Sequence, residues 1–125
     1  MFEIFIRSDF SGAHQLRNYP GNCERMHGHN WKIEVGVKAS TLNEIDVGID
    51  FRDVKKAVSQ VLSKLDHRNL NELPAFKKHN PSSERIAVYI FDRVRDELKG
   101  FPGIKVSKVT VCETERSGVI YTEDE

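Results

Sequence analysis

Cysteine is scarce in this chain of 125 residues: only Cys23 and Cys112 are present. Two thiols cannot build the disulfide framework of a small secreted domain, so a reduced, cytoplasmic protein is the expectation. No apolar run approaches the length of a membrane span. Residues 1–7 lack the basic start, apolar middle and small-residue cleavage site of a secretory leader. Excess charge is absent too, since 19 Lys and Arg balance 19 Asp and Glu. That balance provides no general surface for nucleic acid or membrane. It leaves room for a local basic pocket and offers little repulsion against self-association. Linkers, low-complexity segments and tandem repeats are missing as well. The chain reads as a single domain over residues 1–125, long enough for one hydrophobic core.

What is present is periodic. Phe2, Ile4 and Ile6 alternate with Glu3, Phe5 and Arg7, and the run continues to Ala13 and His14, which predicts a strand. Asn18-Tyr19-Pro20-Gly21-Asn22 is a turn cluster, which makes Cys23 a loop residue. Trp31, Ile33, Val35 and Val37 alternate with Lys32, Glu34 and Lys38, predicting a second strand from Trp31 to Ala39, antiparallel to the first. Behind Asp50, a suitable N-cap, Val54, Ala57, Val58, Val61, Leu62 and Leu65 recur with helical spacing. A second helix is predicted behind Asn80 or Ser82, with Pro81 at its first position. Its buried stripe is Ile86, Ala87, Ile90, Phe91, Val94 and Leu98, and Gly100 stands where a C′ glycine belongs. Val106, Val109 and Val111 mark a third strand running to Cys112-Glu113-Thr114, and Val119, Ile120 and Tyr121 a fourth. The order β-β-α-α-β-β, without β-α-β alternation, predicts an α+β fold with an antiparallel sheet and two helices on one face.

The chemistry concentrates in Cys23-Glu24-Arg25-Met26-His27-Gly28-His29-Asn30. Residues two apart on a strand share a face, so His27 and His29 can reach one metal ion together, and Gly28 leaves the opposite face uncrowded. The bland alternative is a surface His-Gly-His with no ligand. His14, near the end of the first strand, is the best-placed third imidazole. Three histidines with an open position describe a catalytic zinc site, although imidazole also suits copper, iron and nickel. Cys23 reads as a metal ligand, a buried spacer or a reactive thiol, and a nearby cation favours the last. Asp66-His67 reads as a helix C-terminal end or as a carboxylate-supported imidazole working with a thiol in proton transfer. His67 is also an alternative fourth metal ligand, and His79 reads as a surface histidine. Glu113 is either exposed at a strand end or grips the amine and ring N–H of a pterin- or guanine-like edge.

Taken together, these residues resemble the 6-pyruvoyltetrahydropterin synthase / 6-carboxytetrahydropterin synthase family. The matching stretches are Phe10-Ser11-Gly12-Ala13-His14, Cys23-x-x-x-His27-Gly28-His29-Asn30, Ile49-Asp50-Phe51, Leu65-Asp66-His67-x-x-Leu70-Asn71, Asn80-Pro81-Ser82-Ser83-Glu84 and Cys112-Glu113-Thr114. They run in family order along essentially the whole chain. Asp46-Val47-Gly48-Ile49-Asp50-Phe51 departs from the family's Gly-x-Val-x-Asp-Phe pattern, a loop detail.

The resemblance implies the tunnelling fold, in which subunits join into an oligomeric β-barrel, as a trimer or a hexamer, with active sites at subunit interfaces. It implies Zn2+ held by His14, His27 and His29, with Cys23, Asp66 and His67 as the proton-transfer set. Glu113, next to Thr114, would anchor a pterin ring, and Ser82, Ser83 and Glu84 would line its pocket. The three-residue spacer between Cys23 and His27 resembles the bacterial 6-carboxytetrahydropterin synthases of the queuosine pathway. The implied substrate is 7,8-dihydroneopterin triphosphate, and the activity a carbon–carbon lyase releasing acetaldehyde and triphosphate. Cys-Glu-x-x-His-Gly-His resembles a subgroup that also leaves 6-hydroxymethyl-7,8-dihydropterin, so Glu24 is either a second acid/base or an exposed loop residue. A 6-pyruvoyltetrahydropterin product and a non-catalytic metal- or pterin-binding module stand as the other readings.

Overall fold

The computed structural model describes residues 1–18 and 25–123, so Cys23 and Glu24 lie outside the described residues. Strands β1 (Phe2–His14) and β2 (His27–Ala39) pair antiparallel along their whole length. β2 begins at His27 rather than Trp31. His27-Gly28-His29-Asn30 has no apolar alternation, and only pairing with β1 makes it strand.

Helix α1 (Phe51–Leu62) starts at Asp50, whose side chain accepts from the Arg52 N–H. Regular helix stops at Leu62, short of Leu65, yet the following turn stays folded. The Leu65 and Asp66 N–H groups both donate to the Leu62 carbonyl at 2.9 Å, which keeps Leu65 in the core. His67 then adopts φ 56°, a left-handed conformation, and its N–H donates to the Ser11 carbonyl at 2.6 Å. This reversal lays a two-residue strand, β3 (Arg68–Asn69), parallel to Gly12 and Ala13. Nothing periodic announces β3, since tertiary pairing alone creates it.

Two short 3-10 turns, Leu70–Glu72 and Pro74–Phe76, lead to α2 (Ser83–Glu97). Of the two candidate caps it is Ser82 that accepts from the Arg85 N–H, and Pro81 precedes the cap instead of opening the helix. The left-handed glycine after α2 is Gly103, at φ 75°, and not Gly100. The chain turns there into β4 (Ile104–Thr114), which returns as β5 (Ser117–Tyr121).

The sheet order is β3-β1-β2-β4-β5, antiparallel except for the β1–β3 pair. Alternate strand residues, among them Trp31, Val35, Val37, Val109 and Val111, form one apolar cluster with the buried stripes of α1 and α2. The other face carries ion pairs, including Arg7–Glu34 at 2.9 Å and Glu34–Lys108 at 3.4 Å. The result is the expected α+β architecture of a sheet with two helices. Within one chain the sheet is open, so no barrel closes without further strands. Among the described residues no helix is long and apolar enough to cross a membrane.

Two outcomes follow from this packing. Leu65 is 0 % exposed, so Leu65→Ala is expected to lower the unfolding free energy by roughly 3 kcal/mol in a denaturant titration. The Arg52 guanidinium, then its backbone N–H, hold the Asp50 carboxyl down at about 2 against an ordinary 3.8. A depressed carboxylate stabilises the fold above its unfolded value. The contribution of this cap should therefore vanish only as pH falls from 3.8 towards 2, with the Asp50 NMR titration midpoint near the lower figure.

Candidate metal centre and active site

Strand register delivers three imidazoles to one spot. His14 faces His27 and Gly12 faces His29, while His27, His29 and Trp31 share one side of β2. One ligand atom from each of His14, His27 and His29 lies within 4.8 Å of the others. His14 is buried, and its Nδ1 stands 2.7 Å from the Pro81 carbonyl oxygen. A carbonyl only accepts, so Nδ1 carries a proton, which in the neutral imidazole leaves the lone pair on Nε2. The Arg25 carbonyl, 2.7 Å from His27 Nδ1, sets His27 the same way.

The His14 and His27 Nε2 atoms are 3.0 Å apart. Two neutral imidazoles in this tautomer aim lone pairs at one another, a repulsion that a cation between them relieves. Zinc–nitrogen bonds of 2.0–2.1 Å at tetrahedral angles would put neighbouring nitrogens about 3.4 Å apart. The donor set therefore fits a first-row divalent metal. Trp31 walls the site, edge-on to His14 at 4.9 Å and to His29 at 5.1 Å. Its Nε1 donates to the Gly12 carbonyl at 3.1 Å. At Gly12 a Cβ would stand 3.2 Å from Phe10 Cε2, so that ring would have to yield by a few tenths of an ångström, and in ordinary contact, 3.5 Å, with the Leu65 and Arg68 carbonyls. Gly28 is less enclosed: among the described residues a Cβ there would meet only the Gly12 carbonyl at 3.9 Å, so crowding by these residues does not explain this glycine.

A carboxylate borders the imidazoles. Glu113, at the end of β4, places Oε2 3.6 Å from His29 Nε2 and Oε1 3.9 Å from His14 Nε2. Ser83 Oγ donates to Oε1 at 3.1 Å, which steadies the group. The other residues expected around a ring have other recorded surroundings. Ser82 is occupied in capping α2, and Glu84 is exposed on its first turn. The Thr114 hydroxyl accepts from the Arg116 N–H at 3.2 Å, inside the β4–β5 turn.

Asp66 and His67 form a second centre. Asp66 Oδ2 pairs with His67 Nδ1 at 2.9 Å, and Oδ1 accepts from the Ser11 N–H at 3.0 Å. The Ser11 amide first, and His67 after it, hold the Asp66 carboxyl below its usual range. The His67 side chain is 81 % exposed and lines a cavity of about 510 Å³ with Ser11, Ala13 and Asn30. Alternation puts Ser11, Ala13 and Asn30 on the face opposite His14, His27 and Trp31. The rim of that cavity reaches His29, but His67 is not among the converging ligand nitrogens. One chain thus keeps the imidazole triad and the Asp66–His67 pair on opposite faces of its sheet.

Pro81 and Arg25 act through carbonyl oxygens, which residue type does not advertise. Trp31 reads as core from the sequence, and only the assembled structure shows it walling a site.

The model of the 6-pyruvoyl tetrahydropterin synthase family matches residues 3–124. A protein of Pyrococcus furiosus named dihydroneopterin monophosphate aldolase is 36% identical, over 93% of this chain and 93% of its own. A 6-carboxy-5,6,7,8-tetrahydropterin synthase of Synechocystis is 33% identical, over 97% of this chain and 93% of its own. The solved structure of the 6-pyruvoyl tetrahydropterin synthase of Caenorhabditis elegans superimposes with a TM-score of 0.85 at 25% identity, covering 98% of this chain and 96% of that one. Motif order, fold and matched length agree, and the chain belongs to the 6-pyruvoyl tetrahydropterin synthase family.

Proposed function

We propose that this chain is a cytoplasmic, zinc-dependent 6-carboxytetrahydropterin synthase of the queuosine pathway. Its substrate is 7,8-dihydroneopterin triphosphate, which it converts with water into 6-carboxy-5,6,7,8-tetrahydropterin, acetaldehyde and triphosphate. One observation carries the reading: three imidazoles able to hold a metal converge beside the Glu113 carboxylate, which stands 3.6 Å from His29 and 3.9 Å from His14. A pterin edge offers an amine beside a ring N–H, and a carboxylate accepts both hydrogen bonds. With the ring on Glu113, steadied by Ser83, the substrate's side chain extends over the imidazoles. The relative named for this product supports the choice, as does the short spacer between Cys23 and His27.

When bound at His14, His27 and His29, zinc supplies Lewis acidity to the oxygens of the substrate's side chain. Cys23 as thiolate takes a proton from that side chain, and His67 returns or accepts protons at its imidazole. Asp66 keeps His67 oriented, while the Ser11 N–H keeps Asp66 a carboxylate. Because the triad and Asp66–His67 lie on opposite faces of one sheet, a second copy presents its His67 to the triad of the first. A trimeric or hexameric barrel does this, joining subunits through β5 and the Phe2–Asp9 stretch of β1, where among the described residues no strand pairs on the outer side.

A second reading has its own support. The Pyrococcus furiosus relative is named an aldolase acting on dihydroneopterin monophosphate. With Glu24 as an additional acid/base beside Cys23, the same site would leave 6-hydroxymethyl-7,8-dihydropterin and a phosphorylated two-carbon aldehyde. A 6-pyruvoyl product is the third member of the set.

The test incubates zinc-loaded protein with the triphosphate and the monophosphate and identifies the pterins by mass spectrometry. The carboxy product with acetaldehyde is expected from the triphosphate, falling roughly a hundredfold or more in Cys23→Ala. A hydroxymethyl product, lost selectively in Glu24→Ala, would establish the aldolase reading instead. No turnover by the metal-loaded oligomer would leave a binding module. Chelation should abolish turnover without unfolding the protein, because its apolar cluster lies outside the triad.

A further inference from the structure

β1 loses its strand neighbour on the β3 side beyond Ala13, yet the peptide groups that follow are paired. The Gln15 N–H donates to Asn71 Oδ1 at 2.8 Å, and Asn71 Nδ2 donates back to the Gln15 carbonyl at 2.8 Å. Two residues later the exchange repeats. The Arg17 N–H donates to Asn80 Oδ1 at 2.8 Å, and Asn80 Nδ2 returns a bond to the Arg17 carbonyl at 3.0 Å. A carboxamide carries donor and acceptor in one plane, the same pair that a neighbouring strand presents. The two asparagines therefore take over the pairing of the Gln15 and Arg17 peptide groups where the strand has ended. Arg17 Nη2 adds bonds to the Phe76 and His79 carbonyls, at 2.6 and 2.9 Å.

The neighbours of these residues link the clamps to chemistry. His14 directly precedes Gln15, and Pro81 directly follows Asn80. The Pro81 carbonyl is the acceptor that fixes the His14 Nδ1–H. If the end of β1 slid against residues 80 and 81, that bond would lengthen and Nε2 would swing out of the triad. We propose that Asn71 and Asn80 are positioning residues of the imidazole triad. Their carboxamides hold the end of β1 against the segment that orients His14, and so set the direction of its Nε2. The inference rests on the triad being a metal site, as argued above.

Co2+ is the probe, titrated by its visible absorption into the wild type and into Asn71→Ala and Asn80→Ala, with melting of the metal-free proteins alongside. Removing an outer-shell support of a ligand weakens binding by about ten- to a hundredfold, and each alanine variant is expected to lose about tenfold. Asn71→Ser and Asn80→Ser keep a small polar side chain that is too short to return both bonds, and a similar loss is expected. They carry the test if an alanine variant does not fold. Asn43 is the control: its side chain accepts from the Ile45 and Val47 N–H groups in another loop. Asn43→Ala should lower the melting temperature and leave Co2+ affinity unchanged. Wild-type affinity in the Asn71 and Asn80 variants, whatever their melting temperatures, would overturn the positioning role and leave the metal site standing. A wild-type protein that does not bind Co2+ would overturn the metal reading and this inference with it.

Discussion

In an antiparallel pair, register decides which side chains share a face, and in β1 and β2 it sets His14 opposite His27. A slip of one residue would turn His14 to the far side of the sheet and dissolve the triad. The register is held on both sides of His14. Phe10 stacks on Trp31 with centroids 5.9 Å apart, and the Trp31 indole bonds the Gly12 carbonyl. Past the strand's end, Asn71, Asn80 and the Pro81 carbonyl tie residues 14–17 to the connection between the helices. The apolar core and the polar site thus share one constraint.

Periodicity made the large elements legible. The alternation of Trp31, Ile33, Val35 and Val37 and the helical stripes of α1 and α2 all map onto buried positions. His-x-His in front of a strand was enough to pick out two imidazoles, and β1 pointed to the third. Other features left no such trace. β3 is two residues long and exists because His67 takes a left-handed turn, an unusual conformation for a non-glycine residue. Asn71 and Asn80 carry the composition of turns and caps, whereas their side chains serve as strand partners across more than fifty residues of chain. The distance between Glu113 and the imidazoles is also a tertiary fact, set by where β4 ends beside the start of α2.

The candidate site is divided within one chain. Asp66 and His67 follow α1 and are pinned to the β3 side of β1, facing the cavity with Ser11 and Asn30. The triad looks the other way, towards Pro81, Ser83 and Glu113. The sheet is open within the chain, and the proposed shared site answers this separation by drawing its two halves from neighbouring subunits. The chain's relatives carry different names, an aldolase among them beside the tetrahydropterin synthases.

The most direct measurement mixes two inactive variants, His27→Ala and His67→Ala, by dissociating and reassembling them together. The first lacks a triad imidazole and keeps Asp66–His67; the second has the reverse. If sites are shared between subunits, reassembled mixtures should recover a fraction of wild-type turnover that neither variant shows alone, because some interfaces then hold an intact triad and an intact His67. Mixed oligomers that form and remain as inactive as their parents would contradict the shared site and place the whole reaction within one chain.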